Sequence, residues 1–194
     1  MLDNIRKYKV VLASKSPRRK ELLGMLDIPF EIKVKEGIDE SYPEDMTAIE
    51  VAEYLSRLKG KAYAADIKEN ELVITADTIV ILDEKIYGKP HSINDAIDML
   101  MQLQGRTHTV ASGVCVATKE KIVSFTTLTA VTFAPLSREE ASWYVEKYRP
   151  LDKAGAYGIQ EWIGCAAVAT INGSFYNVMG LPVHQLYNVL KNDF

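Results

Sequence analysis

Residues 72–82, Leu-Val-Ile-Thr-Ala-Asp-Thr-Ile-Val-Ile-Leu, constrain this chain more than any other segment. The run is β-branched and apolar apart from Thr75, Asp77 and Thr78, a pattern that predicts a central strand. A carboxylate in such a run is costly to bury unless a metal, a cation or a hydrogen-bond donor compensates it. The strand is therefore expected to bend or end near Asp77. Two readings stay open for that residue. It caps a turn at the strand's end, or it serves as a metal ligand or general base.

The rest of the chain reads as alternating strands and helices. Residues 9–13 predict a buried strand, broken by Ser14-Lys15-Ser16, and Pro17 suits the first turn of a helix running to about Leu26. Residues 30–34 alternate like a second strand, and an acidic, Gly- and Pro-containing loop follows over residues 36–45. Thr47-Ala48-Ile49-Glu50 is a capping box opening the longest helix, expected to reach about Ile67. Along that helix Val51, Leu55, Leu58, Ala62 and Ala65 make an apolar stripe that should face the core. Asp83-Glu84 looks like a hairpin turn, and Ser92 opens a helix that ends near Gly105. Residues 108–118 and 122–133 are long strands turning at Lys119-Glu120-Lys121. Ser137-Arg138-Glu139-Glu140 is a second capping box, residues 166–171 predict an apolar strand, and residues 181–190 a closing helix. Helical units mixed with hairpins imply one α/β domain over residues 1–194, with a mixed sheet and a cleft.

Composition narrows the function. A net charge of -3 and a pI near 5.7 exclude a general nucleic-acid binder, which needs a cationic face to replace released counterions. A small anionic ligand needs only a local cationic cluster. No apolar run approaches the ~20 residues of a membrane helix, and no basic, apolar leader opens the chain, so the expectation is a cytoplasmic protein away from membranes. Cys115 and Cys165 stand singly, without zinc or disulfide spacing, and read as reduced, half-buried thiols.

Ser14-Lys15-Ser16-Pro17-Arg18-Arg19 sets two hydroxyls, a row of backbone N–H groups and two guanidiniums at a strand-to-helix junction, where anions bind readily. A plain serine cap with solvated arginines fits the local sequence equally. Glu36, Asp39 and Glu40 supply loop carboxylates, most of them expected to be solvated, one of which would complete a metal site with Asp77. Magnesium takes a few carboxylate oxygens plus water and phosphate. Lys59 and Lys61 each lie about 40° outside the apolar stripe, on opposite edges. Small Ala48 and Ala52 share the Lys59 side and favour it. Gly88-Lys89-Pro90 puts a lysine in a stiff turn, either a phosphate contact or an exposed loop charge. His91, His108 and His184 share no ligand spacing, and no GxxxxGK[ST], GxGxxG or HExxH signature occurs.

Together with Ala76-Asp77-Thr78 and residues 152–160, Asp-Lys-Ala-Gly-Ala-Tyr-Gly-Ile-Gln, these segments closely resemble the Maf family of nucleotide pyrophosphatases, in the family's order and over essentially the whole chain. Ile171-Asn172-Gly173-Ser174 and Gly180-Leu181-Pro182 extend the match. The sequence departs from some members by one inserted residue near Lys35-Glu36.

The resemblance implies a fold shared with inosine triphosphate pyrophosphatases, an elongated mixed sheet with a nucleotide cleft between two lobes. It implies Asp77 as general base, with Glu40, Lys59 and Lys89 as further catalytic groups, and Asp77 and Glu40 as ligands of a divalent cation, Mg2+, Mn2+ or Co2+. Ser14, Arg18, Arg19, Thr78 and Gln160 are implied to bind the nucleoside triphosphate. Arg18, Thr78 and Gln160 match the branch acting on dTTP and UTP. A competing reading is a nucleotide-sensing regulator of cell division, which would need the cations and no general base. Oligomeric state stays open, a homodimer being one option.

Overall fold

A computed structural model of the chain describes residues 2–194. Seven strands form one mixed sheet in the order β2-β1-β3-β5-β6-β7, with β4 paired to β3. In chain order these are β1 (Lys9–Leu12), β2 (Phe30–Ile32), β3 (Glu71–Leu82), β4 (Lys85–Tyr87), β5 (Thr107–Ala117), β6 (Ile122–Phe133) and β7 (Val168–Asn172). The helices are α1 (Pro17–Gly24), α2 (Ala48–Ala64), α3 (Ile93–Leu103), α4 (Arg138–Tyr148), α5 (Trp162–Ala166), α6 (Phe175–Met179) and α7 (Val183–Asp193). No helix among the described residues is long and apolar enough to cross a membrane.

The chain divides into two compact units. One holds residues 2–77, Ser112–Thr127 and Gly180–Phe194, and the other Thr78–Ala111 and Leu128–Met179. The division cuts through β3, β5 and β6, and in β3 it falls between Asp77 and Thr78.

In the first unit, β1 lies parallel to both neighbours, with Val11 in register with Glu31 of β2 and Val73 of β3. Parallel strands buried on both sides require near-continuous apolar sequence, which β1 and the first half of β3 supply. Both capping boxes form. Glu50 accepts the Thr47 amide at 3.1 Å, and Glu140 accepts that of Ser137 at 2.8 Å.

The face of α2 differs from the expected stripe. Val51 and Leu55 are buried, but Leu58 and Ala62 are half-buried and Ala65 is exposed, and the helix ends at Ala64 instead of near Ile67. Ala52, Ser56, Gly60 and Tyr63 are buried instead. The reason is close approach. A Cβ on Gly113 of β5 would fall 2.1 Å from the carbonyl oxygen of Ala52, and a Cβ on Gly60 would fall 2.7 Å from Cys115 Sγ. The Thr75 hydroxyl donates to the Ser56 carbonyl at 2.6 Å across the same seam. Small residues four apart let the helix backbone sit down on the strands, a fit that a search for large apolar residues does not see.

In the second unit, β3 and β4 join through Asp83 and Glu84, at φ of 49° and 63°. Positive φ at both central residues marks the primed turn that matches strand twist. The apolar strand expected at residues 166–171 is β7, shifted to Val168–Asn172, and it lies largely exposed at the sheet's edge. Helices α5 and α6 on either side of it were not anticipated, because five residues are too few for helical periodicity to register. Neither thiol is half-buried: Cys115 is buried, Cys165 exposed, and both are free.

His108 sits in the second unit's core, 2 % exposed, edge-on to Phe133 and Tyr157, with Nε2 hydrogen-bonded to the Tyr157 hydroxyl at 2.7 Å. Burial lowers its pKa to about 4. An unfolded imidazole gains its proton near 6.5 and the folded one only near 4, so stability is full above 6.5 and falls as pH drops toward 4. Urea titrations at pH 7 and pH 4.5 should show the wild type losing about 2–3 kcal/mol more than His108→Gln over that interval. Equal losses would mean that His108 does not couple to folding.

Candidate functional site

Strand β3 does not end at Asp77. It continues to Leu82, so the turn-capping reading of that residue is removed. The Asp77 side chain is 14% exposed and its Oδ1 accepts from Lys59 Nζ at 2.6 Å. The same ammonium meets Glu40 Oε2 at 2.9 Å. One lysine thus bridges two carboxylates, one from a strand and one from the acidic loop. Glu36 is instead paired with Lys15 at 2.7 Å, and Asp39 accepts the Ser41 amide at 3.0 Å. Of the three loop carboxylates, Glu40 is the one drawn to Asp77's partner.

The seam of small residues explains why Lys59 is there. With Ala52, Ser56 and Gly60 pressed on the strands, residue 59 is carried beside β3, and its side chain is 15% exposed. Lys61, about 200° further round the helix, is exposed on the far face. There it lines a groove of about 710 Å³ with Tyr54, Arg57, Leu58, Pro43 and Met46. Geometry therefore separates two lysines that the sequence pattern left nearly equivalent.

The first loop reaches the same place. Ser16 caps α1, its Oγ accepting the Arg19 amide at 3.4 Å, and Ser14 is buried with its Oγ accepting the Ser16 amide at 3.2 Å. Arg18 and Arg19 are both half-buried. Arg19 donates from Nε to the Gly180 carbonyl and from Nη1 to the Ala76 carbonyl, each at 2.9 Å. Its guanidinium pKa is lowered, chiefly by burial, against opposing contributions from Asp77 and Glu40 and with a smaller lowering from Arg18. Arg19 is therefore a tie between α1 and the residue preceding Asp77, a role its sequence position did not reveal. Gly180, at φ 118° and within the Gly180-Leu181-Pro182 motif, completes that tie with its carbonyl.

Thr78, Lys89 and Gln160 belong to the second unit. Thr78 is half-buried, and Lys89 and Gln160 are exposed. Within that unit the two motif loops meet, since the Gly155 amide donates to the Gly88 carbonyl at 3.1 Å. Gly155 has φ 67°, and a Cβ there would fall 2.8 Å from Val80 Cγ2. Tyr144, wholly buried on α4, accepts the Gly158 amide at 3.0 Å and donates to Glu161. Burial and then Glu161 push its hydroxyl well above the usual tyrosine range. No local pattern marks this tyrosine, which lies 14 residues before the glycine that it supports.

The two sets of residues have different chemistry. The first unit carries hard carboxylate oxygens, an ammonium and the Arg19 guanidinium around one strand position, a set able to hold phosphate and to take a proton. The second offers an amide, a hydroxyl and a lysine on loops.

Comparison with known proteins agrees with the motif order. A family model described as Maf-like protein matches residues 9–193. A protein of Parabacteroides distasonis named dTTP/UTP pyrophosphatase is 53% identical over 192 residues, covering 99% of this chain and 100% of its own. One of Porphyromonas gingivalis with the same name is 54% identical over 194 residues, covering 99% and 98%. A third, from Flavobacterium johnsoniae, is 44% identical over 97% of this chain and 96% of its own. Among solved structures, the Staphylococcus aureus Ham1 protein superposes on 65% of this chain and 72% of its own, at 15% identity and a TM-score of 0.47. With its motifs in order from the first strand to the last helix and half of its residues shared with such relatives, the chain belongs to the Maf family.

Proposed function

We propose that this protein hydrolyses dTTP and UTP at the α-phosphate, releasing the nucleoside monophosphate and pyrophosphate. The observation that carries the reading is the single ammonium of Lys59 held between Asp77 and Glu40 beside the arginine-bearing end of α1. The names of the relatives supply the substrate class.

In this reaction water attacks the α-phosphorus, its oxygen forms the new P–O bond, and the bond to the bridging oxygen breaks. Asp77 accepts the water's proton, the role for which a carboxylate close to the reacting phosphorus is suited. Lys59 and Arg18 offset charge on the departing pyrophosphate, a task the family motif also gives to Lys89, while Ser14 binds phosphate oxygens near the positive end of α1. Arg19 keeps the Ala76 backbone, and with it Asp77, in place.

The donor set suits a divalent cation. Asp77 and Glu40 are hard oxygen donors that share Lys59 as a partner, and Mg2+, Mn2+ or Co2+ would be held by their carboxylates. Among the described residues no group of three or more His, Cys, Asp or Glu side chains converges, so phosphate and water would supply the remaining ligands. Such an ion supplies Lewis acidity toward the phosphate and charge neutralisation.

Thr78 and Gln160 offer hydrogen bonds to the base. Uracil and thymine share O2, N3–H and O4, whereas cytosine inverts that edge, and an unpaired buried partner costs ~1–3 kcal/mol. A regulator that only sensed nucleotide would have no use for Asp77 as a base.

Chromatography of short reactions should show UMP and pyrophosphate from UTP, with dTTP used comparably and CTP and GTP poorly. Orthophosphate accumulating with UDP would refute α-phosphate attack, and equal kcat/KM on all four nucleotides would refute the pyrimidine assignment.

A further inference from the structure

The turn that bears Gln160 is fixed on both sides by groups that take no part in phosphate chemistry. On one side the Gly158 amide is held by the Tyr144 hydroxyl at 3.0 Å. On the other, Glu161 receives that same hydroxyl and meets Lys153 Nζ at 3.2 Å, and Lys153 meets Asp152 at 2.8 Å. Lys153 is only 8% exposed, uncommon for a lysine and tolerable because it is paired. The backbone closes around these contacts. The Glu161 amide donates to the Gly158 carbonyl at 2.9 Å, and Ile159 is buried, with the carbonyl of Ile159 lying 1.7 Å from where a Gly164 Cβ would be. At Gly158 a Cβ would stand 2.8 Å from Glu161 Cδ and 3.0 Å from Gln160 Nε2, so the missing side chain is the space in which both side chains lie. Gln160 itself is exposed. An exposed glutamine with a free backbone samples many orientations, and one whose flanking residues are pinned arrives at its ligand already aimed.

We propose that Tyr144, Glu161 and Lys153 are positioning residues for base recognition, holding the turn at residues 158–161 so that Gln160 presents its carboxamide in one orientation. The proposal rests on the pyrimidine-nucleotide reading above. Tyr144 acts at both ends of the turn with one hydroxyl, accepting from residue 158 and donating to residue 161, and Lys153 keeps the Glu161 carboxylate anchored from the opposite side. None of the three is assigned a contact with substrate. They bear on specificity only through Gln160, and that distinguishes them from groups that merely fill the core.

The test measures kcat/KM for UTP and CTP in the wild type, Tyr144→Phe, Gln160→Ala and the double variant, with thermal melts alongside. The wild type should prefer UTP, and Tyr144→Phe should shrink that preference about tenfold, the size of one lost oriented hydrogen bond. In the double variant the preference should equal that of Gln160→Ala alone, because a residue acting through Gln160 has nothing further to lose. Glu161→Gln, nearly isosteric and on a partly exposed side chain, should lower the preference in the same direction, and it carries the test if Tyr144→Phe fails to fold. Rates on UTP and CTP falling by the same factor would mean a purely structural role and overturn the proposal. So would losses from Tyr144→Phe and Gln160→Ala that multiply independently. A wild type that already uses UTP and CTP equally would instead overturn the pyrimidine reading, and this proposal with it.

Discussion

Asp77→Asn should lower kcat/KM for UTP about 10³-fold while the protein stays folded, the range expected when a general base is removed. The change is nearly isosteric, and the amide oxygen can still accept from Lys59 Nζ, which stands 2.6 Å from Asp77 Oδ1 in the native protein. What disappears is the charge, and with it the capacity to take a proton from water or to hold a cation. Stability should change by no more than about 1 kcal/mol, because Lys59 keeps Glu40 as a partner at 2.9 Å. Turnover and melting temperature measured on the same preparation decide the matter. Near-native turnover removes Asp77 from the chemistry. A collapsed fold assigns it a structural role, the compensation of a lysine carried deep against the strand.

Gly113→Ala should destabilise the protein by about 3 kcal/mol or more, since the added methyl meets backbone and not a yielding side chain. It would lie 2.1 Å from the Ala52 oxygen, 2.2 Å from the Ala52 carbonyl carbon and 2.4 Å from the Glu53 nitrogen. Helix α2 must then lift from β5, and Lys59 is on that helix. The melting temperature should fall by about 6–12 °C for a chain of this size, and kcat should fall with it at temperatures where the variant is still folded. Gly24→Ala is the natural control. Nothing lies within 4 Å of a Cβ there, and at the end of α1 the alanine should be neutral or slightly stabilising. A Gly113→Ala protein as stable and active as the control would show that the seam between α2 and β5 has slack, and would sink the account of how Lys59 is positioned.

Much of the architecture was legible along the chain because its signals are local. Thr47 with Glu50 and Ser137 with Glu140 announce helix starts through bonds made within one turn. Asp83-Glu84 announces a hairpin because two charged residues interrupt apolar sequence, whereas the positive φ that both adopt came only with the structure. The strand at residues 72–82 was visible from β-branching, yet its passage straight through Asp77 was not. A carboxylate looks like an interruption until the ammonium that meets it is known, and Lys59 lies 18 residues away.

By itself, then, the amino-acid sequence determined the order of the strands and the longer helices, the gathering of hydroxyls and guanidiniums in and just after the loop before α1, and the oddity of a carboxylate within an apolar strand. These depend on spacing, on backbone preference and on the transfer cost of one side chain. Only the tertiary structure decided which acidic loop residue joins Asp77, which lysine bridges them, that Arg19 ties its strand in place, and that Tyr144 braces the turn bearing Gln160. Those choices are made by contacts between residues far apart in the chain. They turn on how closely backbones approach where glycine and alanine leave room, and a missing side chain has no periodicity to read.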